Sequence, residues 1–481
     1  MRRRGGLGAG IGWRWGAAAV WAVALGAGSL GAQQAAPQPP GSETQKPAAG
    51  DVQQTQGKSE QVHTGVSSGL DTVARLDALL TDHQFFRVEA QLDQMAPEQA
   101  QFYRGILANR DNNPKKSIEL LTPLVEKVAA SGNVEQEKLL RKALAEDYLR
   151  TGDMARAAKA YQALEERLRG HLSPEEQEEI ELPLKLAPLA AANPPMTVEP
   201  YEPFLLQITR NTLGLTELPV YVDARPHSWM MDPTAPFNLI ARSLAKEAGL
   251  KVSDEFATIH SLTGRPMQVH MTVIPRFTIG GRITFRNMTA FVFEDADYAF
   301  PKSHYQVEGE LGYAALSALG SLTITGDATI EVRPFKPMLA TEKEDPPMPG
   351  ARFFLDGDQM IVALGLKGQE RMFVVDASGQ QTYLTSRYYD EHTEDFNGMK
   401  MALFSIPGAE SKPPQPAFLA ETIPLTIGPA EVQAHYIQVI TQPIGLEALD
   451  DVYGVLGMDF LDQLKSYTFD YREMRFGVRT E

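Results

Sequence analysis

The chain has 481 residues, no cysteine and a formal net charge of −16 at pH 7. This length leaves room for about two or three domains, each with a substantial core. Without cysteine the chain has no disulfide, thiolate nucleophile or cysteine metal site. The acidic balance, with no basic patch interleaved with aromatic residues, argues against binding to nucleic acid.

Residues 1–32 have the pattern of a secretory signal. Four arginines, the last of them Arg14, precede an apolar stretch at 17–27, and residues 30–32 offer a small-residue cleavage point. A transmembrane anchor is the alternative, but the apolar stretch is short and rich in glycine for a stable span. We therefore expect export to a bacterial periplasm or the medium, with no membrane span left after the signal is removed.

Residues 33–66 are rich in Gln, Pro, Ala, Ser and Gly, which predicts a disordered linker. Over residues 67–192 the apolar residues take a helical period. Two helical units with matching spacing lie 40 residues apart, which is similar to tetratricopeptide repeats with their usual period of about 34. Such repeats either form a docking groove for a protein partner or pack as a support for the neighbouring domain.

Proline-rich stretches divide the rest of the chain. Ser173-Pro174 predicts a helix start before the acidic, solvated face at 175–181, and the prolines at 183, 188, 194 and 195 predict a linker. From about residue 200, β-branched and aromatic residues alternate with turn signals, and a second linker at 337–350 separates β segments at 200–336 and 351–481. The predicted class is multidomain α + β, with a helical-repeat domain followed by two tandem all-β domains.

Two segments, 144 residues apart, share one local design. At 228–240 and 371–384 an apolar strand runs into one aspartate, Asp232 or Asp376, and then into a small-residue turn and a second apolar run. A carboxylate at the end of a buried strand is costly to desolvate unless it is paired or used. Helix capping is the alternative, particularly for Asp232, which precedes a helical run at 240–248.

A second motif repeats at nearly the same offset. Gly-x-Leu-Gly begins at Gly309 and again at Gly454, 145 residues later, and each copy is followed by a strand-like segment. Two ordered pairs of motifs sharing one offset predict a duplicated β-rich domain. The core of this second motif comprises Gly309, Leu311, Gly312, Gly454, Leu456 and Gly457.

This frame resembles that of the retropepsin-like aspartic proteases. The Gly-Val-Leu-Gly-Met-Asp-Phe-Leu of residues 454–461 is similar to the Gly-Ile-Leu-Gly-x-Asp-x-Leu of bacterial members. The resemblance covers residues 205–335 and 350–480, and it implies two retropepsin-like lobes that pair within one chain. A cleft between them would bind an extended peptide or protein substrate.

The resemblance also implies the chemistry. Asp232 and Asp376 would form the catalytic dyad of an aspartic endopeptidase, sharing one proton because two adjacent carboxylates do not both ionise easily. The ionised carboxylate would act as a general base on water, and the protonated one would polarise the peptide carbonyl. No metal or cofactor is implied.

Both copies depart from the family at the same two positions. The family's Asp-Thr-Gly or Asp-Ser-Gly, usually followed by Ala, is Asp-Pro-Thr-Ala from Asp232 and Asp-Ala-Ser-Gly from Asp376, and Glu310 replaces an apolar residue in the first Gly-x-Leu-Gly. Two hypotheses follow. Either the supporting turns are reorganised, with hydroxyls supplied one position later, or the protein is an inactive relative whose cleft binds peptide while the repeats dock a partner. The supporting turn residues are Thr234, Ala235, Ser378 and Gly379.

Overall fold

The computed structural model describes residues 68–260, 266–326, 328–335, 348–356, 359–406, 413–445 and 447–479. The expected signal at 1–32, the expected linker at 33–66 and most of the linker at 337–350 lie outside the described residues. The chain divides into two compact units, one holding all described residues from Phe85 onward and the other represented by residues 68–84. None of the helices described is long and apolar enough to cross a membrane.

Residues 68–190 are helical. The α-helices described there are α1 Ser68–Thr81, α2 Phe85–Leu92, α3 Pro97–Arg110, α4 Pro114–Leu121, α5 Val125–Ser131, α6 Val134–Arg150, α7 Met154–Leu168 and α8 Pro174–Ala190. Local capping determines where several of these helices begin, because a side-chain oxygen at the N-cap accepts a hydrogen bond from a backbone N–H of the first turn. Asn113, Asn133 and Asp153 cap α4, α6 and α7 in this way. The helical character is confirmed, and the tetratricopeptide repeat stays a prediction.

Helix α8 corrects two expectations. Its start is confirmed, because Ser173 and Glu176 form a capping box, but Pro183 and Pro188 lie inside the helix and not in a linker. An internal proline costs about 3 kcal/mol, and the helix continues because its apolar face is buried against its neighbours, as at Leu186 (2% exposed). The acidic stretch is not simply solvated, since Glu179 pairs with Lys142 of α6.

The first β region spans residues 197–333. Its strands and helices are β1 Thr197–Val198, β2 Phe204–Gln207, β3 Thr209–Arg210, β4 Thr216–Val222, β5 Arg225–Met231, β6 Leu239–Ala241, α9 Arg242–Glu247, β7 Phe256–His260, β8 Pro266–Ile279, β9 Ile283–Phe293, β10 Ala299–Phe300, β11 Tyr305–Gln306, β12 Gly309–Leu311, α10 Tyr313–Leu316, β13 Ser321–Thr325 and β14 Thr329–Arg333. Most of these strands join one sheet in the order β1-β9-β6-β12-β5-β4-β8-β7.

The second β region spans residues 351–479. Its elements are β15 Ala351–Asp356, β16 Gln359–Leu366, β17 Gln369–Val375, β18 Tyr383–Leu384, α11 Ser386–Glu391, β19 Ala402–Phe404, β20 Gln415–Ile427, β21 Ala430–Ile440, α12 Glu447–Asp450, β22 Gly454–Leu456, α13 Met458–Leu461, β23 Ser466–Asp470 and β24 Arg475–Arg479. Helices therefore precede extensive β structure, and the predicted α + β multidomain class is confirmed.

The two β regions repeat one local topology. Strand β12 is parallel to β5 and antiparallel to β6, and β22 is parallel to β17 and antiparallel to β18. In each region the strand of the Gly-x-Leu-Gly motif thus lies between the strand that leads into the aspartate and the strand that follows the turn. The same topology brings the two sequence motifs of each region side by side.

One antiparallel sheet joins the two regions. Strand β13 pairs with β23, with Thr323 opposite Thr468, and the two hydroxyls lie 2.8 Å apart. Strands β14 and β2 extend the sheet on one side, and β24 and β15 extend it on the other. Beyond β15 the sheet continues through β16 into the other strands of the second region, whereas the first region contributes β13, β14 and β2. The equivalent strands β13 and β23 meet where the two regions join.

The helices pack on the second β region through Arg352 of β15. Its guanidinium binds Glu89 of α2 at 2.6 Å and Asp111, which follows α3, at 3.0 Å. It also lies 4.8 Å from the ring centroid of Phe86 and 5.1 Å from that of Phe354, a cation–π arrangement. This contact joins α2 and the end of α3 to β15 of the joining sheet.

We predict that Arg352→Ala lowers the free energy of unfolding by about 2–4 kcal/mol, because it leaves two carboxylates without their partner and removes the aromatic contact. Urea unfolding at neutral pH measures this loss. Arg225→Ala is the matched control, since Arg225 is about half exposed (53%) and pairs with an equally exposed Glu247. The control should change stability by less than about 1 kcal/mol. Equal losses in the two variants would contradict the assigned role of Arg352.

Candidate active site

Each aspartate is carried into the core by a strand whose burial increases along its length. Strand β5 is exposed at Arg225 and buried from Trp229 onward, and β17 is exposed at Gln369 and buried from Met372 onward. Asp232 is then 0% exposed and Asp376 is 9% exposed. The apolar ends of these strands pack into the core, and the carboxylates follow them.

The backbone of each aspartate is fixed by the second motif. The N–H of Asp232 donates to the carbonyl of Leu311 at 2.9 Å, and the N–H of Asp376 donates to the carbonyl of Leu456 at 2.9 Å. These matching bonds show that the two sequence motifs of each region form one unit.

The alternative prediction, that Asp232 caps a helix, is wrong. Helix α9 begins at Arg242, its N-cap is Ala241, and β6 lies between the aspartate and the helix. The carboxylate of Asp232 binds its own turn instead, so the turn and not a helix accounts for its position.

The first carboxylate oxygen of each aspartate accepts three hydrogen bonds. For Asp232 Oδ1 the donors are Thr234 N–H (2.9 Å), Thr234 Oγ1 (2.6 Å) and Ala235 N–H (3.1 Å). For Asp376 Oδ1 they are Ser378 N–H (3.2 Å), Ser378 Oγ (3.1 Å) and Gly379 N–H (2.7 Å). The four predicted turn residues therefore hold the two carboxylates in matching ways, although the family's Asp-Thr-Gly is absent from both.

Contacts also run from one aspartate turn to the other. The N–H of Ala377, in the second turn, donates to Thr234 Oγ1 of the first turn at 3.3 Å. From the second region, the Tyr471 hydroxyl donates to the carbonyl of Pro233 at 3.2 Å. The structure thus brings Asp232, Thr234, Asp376 and Ser378 together in one buried site.

The motif glycines allow the turns and the motif strands to touch. A Cβ on Gly312 would lie 2.1 Å from the carbonyl oxygen of Phe237, and one on Gly457 would lie 2.7 Å from the carbonyl carbon of Gln381. A Cβ on Gly309 would meet the Trp229 ring at 2.3 Å. These positions exclude any side chain, which explains the glycines of the repeated motif.

Two polar residues that were not predicted from the sequence hold Gly312 and Gly457 in place. The N–H of Gly312 donates to Asn238 Oδ1 at 3.2 Å, and the N–H of Gly457 donates to Thr382 Oγ1 at 2.8 Å. Asn238 and Thr382 are separated by 144 residues, the same offset as the two aspartates. The shared offset is a signal that could have found them, whereas no local pattern marks Tyr471.

Burial dominates the electrostatics of the two aspartates. Loss of solvent raises the pKa of Asp376 to about 7, and the nearby charge of Asp232 acts in the same direction. Loss of solvent also raises the pKa of Asp232, against hydrogen bonds from Thr234 and Ala235 that lower it. Because the charge of Asp232 acts on Asp376, the two carboxyl groups titrate as a coupled pair.

Glu310 is a third carboxyl group at the site. It is 0% exposed, and neither of its carboxylate oxygens has a hydrogen-bond partner. Burial and the charges of Asp232 and Asp376 raise its pKa well above the ordinary value. Within the described ranges, no group of three or more acidic or histidine side chains is placed to hold a metal ion.

We predict that Gly312→Ala lowers the free energy of unfolding by about 3 kcal/mol or more, because the added methyl group overlaps fixed backbone atoms. Thermal or urea unfolding measures the loss. Gly170→Ala is the matched control, since a Cβ there meets nothing within 4 Å, and it should be neutral within about 0.5 kcal/mol. If Gly312→Ala were equally neutral, the close packing of motif and turn would be wrong.

We also predict that raising the pH destabilises the fold through Asp376. Its folded pKa of about 7 lies above the ordinary 3.8, so the unfolded chain releases this proton first. The stabilisation is complete below about pH 4 and is lost as the pH rises through about 7, by up to about 4 kcal/mol. Asp376→Asn removes this dependence.

Urea unfolding across this pH range compares the two proteins. The variant should match the native protein near pH 4 and exceed its stability near pH 8, whereas Asp254→Asn at an exposed site should follow the native protein throughout. A difference between Asp376→Asn and the native protein that stayed constant with pH would contradict the raised pKa.

Several solved structures are similar to part of this chain. Similar solved structures include a basic 7S globulin from soybean (11% identity, TM-score 0.35) and conglutin gamma, a basic 7S globulin from lupine seeds (9% identity, TM-score 0.36). Each alignment covers 59% of this chain and 96% of the other. A retropepsin-like aspartic protease from Rickettsia conorii aligns at 18% identity and a TM-score of 0.21, over 27% of this chain and 99% of its own.

No curated protein matches the chain. Residues 218–315 match the family model described as aspartyl protease. This segment contains Asp232 and the first Gly-x-Leu-Gly motif, so the predicted resemblance to the aspartyl proteases is confirmed for this part of the chain.

Proposed function

We propose that this protein is an aspartic endopeptidase with two retropepsin-like lobes, in which Asp232 and Asp376 form one catalytic dyad. The observation that carries the proposal is the pair of matching aspartate turns, joined by the contact between the Ala377 N–H and Thr234 Oγ1 at 3.3 Å. A hydrogen bond from one turn to the hydroxyl of the other supports a single site made by both β regions. The cleft above it would take an extended peptide.

The two carboxyl groups have different environments, which supports different roles. Asp376 keeps its proton to a pH of about 7, because burial and the Asp232 charge raise its pKa, and we assign the first ionisation of the pair to Asp232. Asp232 therefore acts as the general base, and Asp376 as the acid.

The reaction uses one water and one peptide bond. Asp232 accepts a proton from the water molecule as the oxygen of that water bonds to the carbonyl carbon. At the same time, Asp376 donates its proton to the carbonyl oxygen. As the tetrahedral intermediate collapses, the carbon–nitrogen bond breaks, the leaving amine takes the proton held by Asp232, and Asp376 recovers its own from the hydroxyl.

Thr234 and Ser378 supply the hydroxyls that the altered turns lack at their usual position. Thr234 Oγ1 donates to Asp232 Oδ1 at 2.6 Å and accepts the N–H from the opposite turn. Ser378 Oγ donates to Asp376 Oδ1 at 3.1 Å, so each turn supplies one hydroxyl to its own carboxyl group.

A second function is a catalytically inactive module that binds extended peptide. It is favoured by the complete burial of the Asp232 side chain, at 0% exposure, because a general base must reach a water molecule. In this case the helical region could dock a protein partner. However, none of the strongly exposed large apolar residues of the described part lies in α1–α8, which favours a supporting role for those helices.

Action in a bacterial periplasm or the medium is part of the proposal and rests on the expected signal at residues 1–32. The dyad chemistry as proposed uses no metal or cofactor.

We predict that the purified protein cleaves members of a library of unstructured peptides. Mass spectrometry of the products measures the cleavage. Asp232→Asn and Asp376→Asn should each reduce kcat/KM by roughly 10²–10⁴-fold, because each removes one partner of the acid–base pair. Asp254→Asn, at an exposed aspartate, is the control and should retain full activity. The rate should fall at acidic pH as Asp232 is protonated, and again above about pH 7 as Asp376 ionises.

Two results would decide against the protease. Cleavage that survives both substitutions would exclude the dyad. Absence of cleavage by the native protein from about pH 3 to 8, the range in which a proton-sharing dyad works, together with binding of the same peptides, would establish the inactive module.

A further inference from the structure

Glu310 marks a difference between the two β regions within the repeated Gly-x-Leu-Gly motif. It is the second residue of the first Gly-x-Leu-Gly motif, on β12, and Val455 holds the equivalent position on β22. The apolar Val455 fits a buried strand, whereas the carboxyl group of Glu310 is 0% exposed without any hydrogen-bond partner. Such a group is costly to keep unless it has a role.

The strand register places Glu310 on the dyad side of the sheet. Glu310 lies opposite Met230 in the parallel pairing of β12 with β5. Side chains two residues apart on a strand share a face, and Asp232 comes two residues after Met230. Because Glu310 is level with Met230, Glu310 and Asp232 lie on the same face of the sheet. Their interaction is also seen in the pKa of Glu310, which burial and then the charges of Asp232 and Asp376 raise.

Asp232 has one carboxylate oxygen that is not used as an acceptor. Its Oδ1 already receives three hydrogen bonds, whereas its Oδ2 is buried and without a partner. A protonated carboxyl group has one O–H to donate, and a carboxylate oxygen accepts it. The two groups left without partners are therefore chemically complementary.

We propose that Glu310 is a positioning residue of the dyad, which keeps its proton and donates it as a hydrogen bond to Asp232 Oδ2, directly or through one water. A hydrogen bond to the charged form of a carboxylate favours that form. Glu310 thus keeps Asp232 ionised and leaves the shared proton on Asp376. The equivalent Val455 cannot do this for Asp376, so the difference between Glu310 and Val455 sets which aspartate is the base.

The surrounding titratable groups agree with this assignment. Asp232 and Asp376 are the groups whose charges act on Glu310. Burial raises the pKa of the Tyr467 and Tyr471 phenols above the ordinary value, and the charge of Asp232 acts in the same direction on both. Both phenols stay neutral, and neighbouring residues Met230 and Leu239 on β5 and β6 carry no charge.

The test is an NMR pH titration of isotope-labelled aspartate and glutamate carboxyl groups in the folded protein. One glutamate should stay protonated well above the ordinary titration range of a glutamate, and its signal should be missing in Glu310→Gln. Glu310→Gln keeps a neutral donor, so the Asp232 midpoint should move by less than about half a pH unit. Glu310→Val copies Val455 and removes the donor, which should raise the Asp232 midpoint by about 1–2 pH units.

Glu331→Gln is the control for loss of a glutamate from the same region, since Glu331 is partly exposed and pairs with Arg333 at 2.7 Å. It should leave the Asp232 midpoint unchanged. Titration of Glu310 near its ordinary value, or an unchanged Asp232 midpoint in Glu310→Val, would overturn the proposal.

The titration does not need activity, so it separates this inference from the proposed function on which its catalytic meaning rests. If the native protein cleaves peptides, the acidic limb of the rate profile should move up by the same 1–2 pH units in Glu310→Val and stay in place in Glu310→Gln. If the protein cleaves nothing, the protease fails as a function, while the titration still decides the role of Glu310.

Discussion

The structure depends on keeping two carboxylates out of water in one small site. Removing an ionised carboxylate from water costs several kcal/mol unless hydrogen bonds replace the lost solvent. Each turn supplies three donors to one carboxylate oxygen, and each motif leucine fixes the backbone of its aspartate at 2.9 Å. The glycines at 312 and 457 are required because the turn and the motif strand must touch for this to happen. The sheet formed by β13 and β23 then holds the two halves against each other.

The two halves repeat one plan, but their differences carry the chemistry. Pro233 has no N–H, so only the Ala377 side can donate a backbone hydrogen bond to the opposite hydroxyl. Glu310 gives Asp232 a neighbouring carboxyl group, whereas Val455 gives Asp376 none. In the proposed protease, these differences would favour one ionised and one protonated aspartate, which is the condition for a general base and an acid in the same site.

Much of the site could be predicted from the sequence, because its motifs recur at one offset. The aspartates, their turn residues and the motif glycines all lie at the site, and helix starts such as Ser173-Pro174 depend on local capping. What could not be predicted depends on distant packing. Pro183 and Pro188 remain helical because burial of α8 outweighs local propensity. Tyr471 reaches the Pro233 carbonyl from 238 residues away, and no pattern near either residue indicates this contact. The export signal, the linkers and the repeat family stay predictions.

A double-mutant cycle of Asp232→Asn and Asp376→Asn, read by urea unfolding at pH 8, measures whether the two aspartates share one site. Each single substitution should stabilise the fold by removing a buried charge and its repulsion with the other. The repulsion can be removed only once, so the double variant should gain less than the sum of the single gains, by about 1–3 kcal/mol. Gains that add within about 0.5 kcal/mol would mean that the two aspartates do not share a site, and would contradict the account.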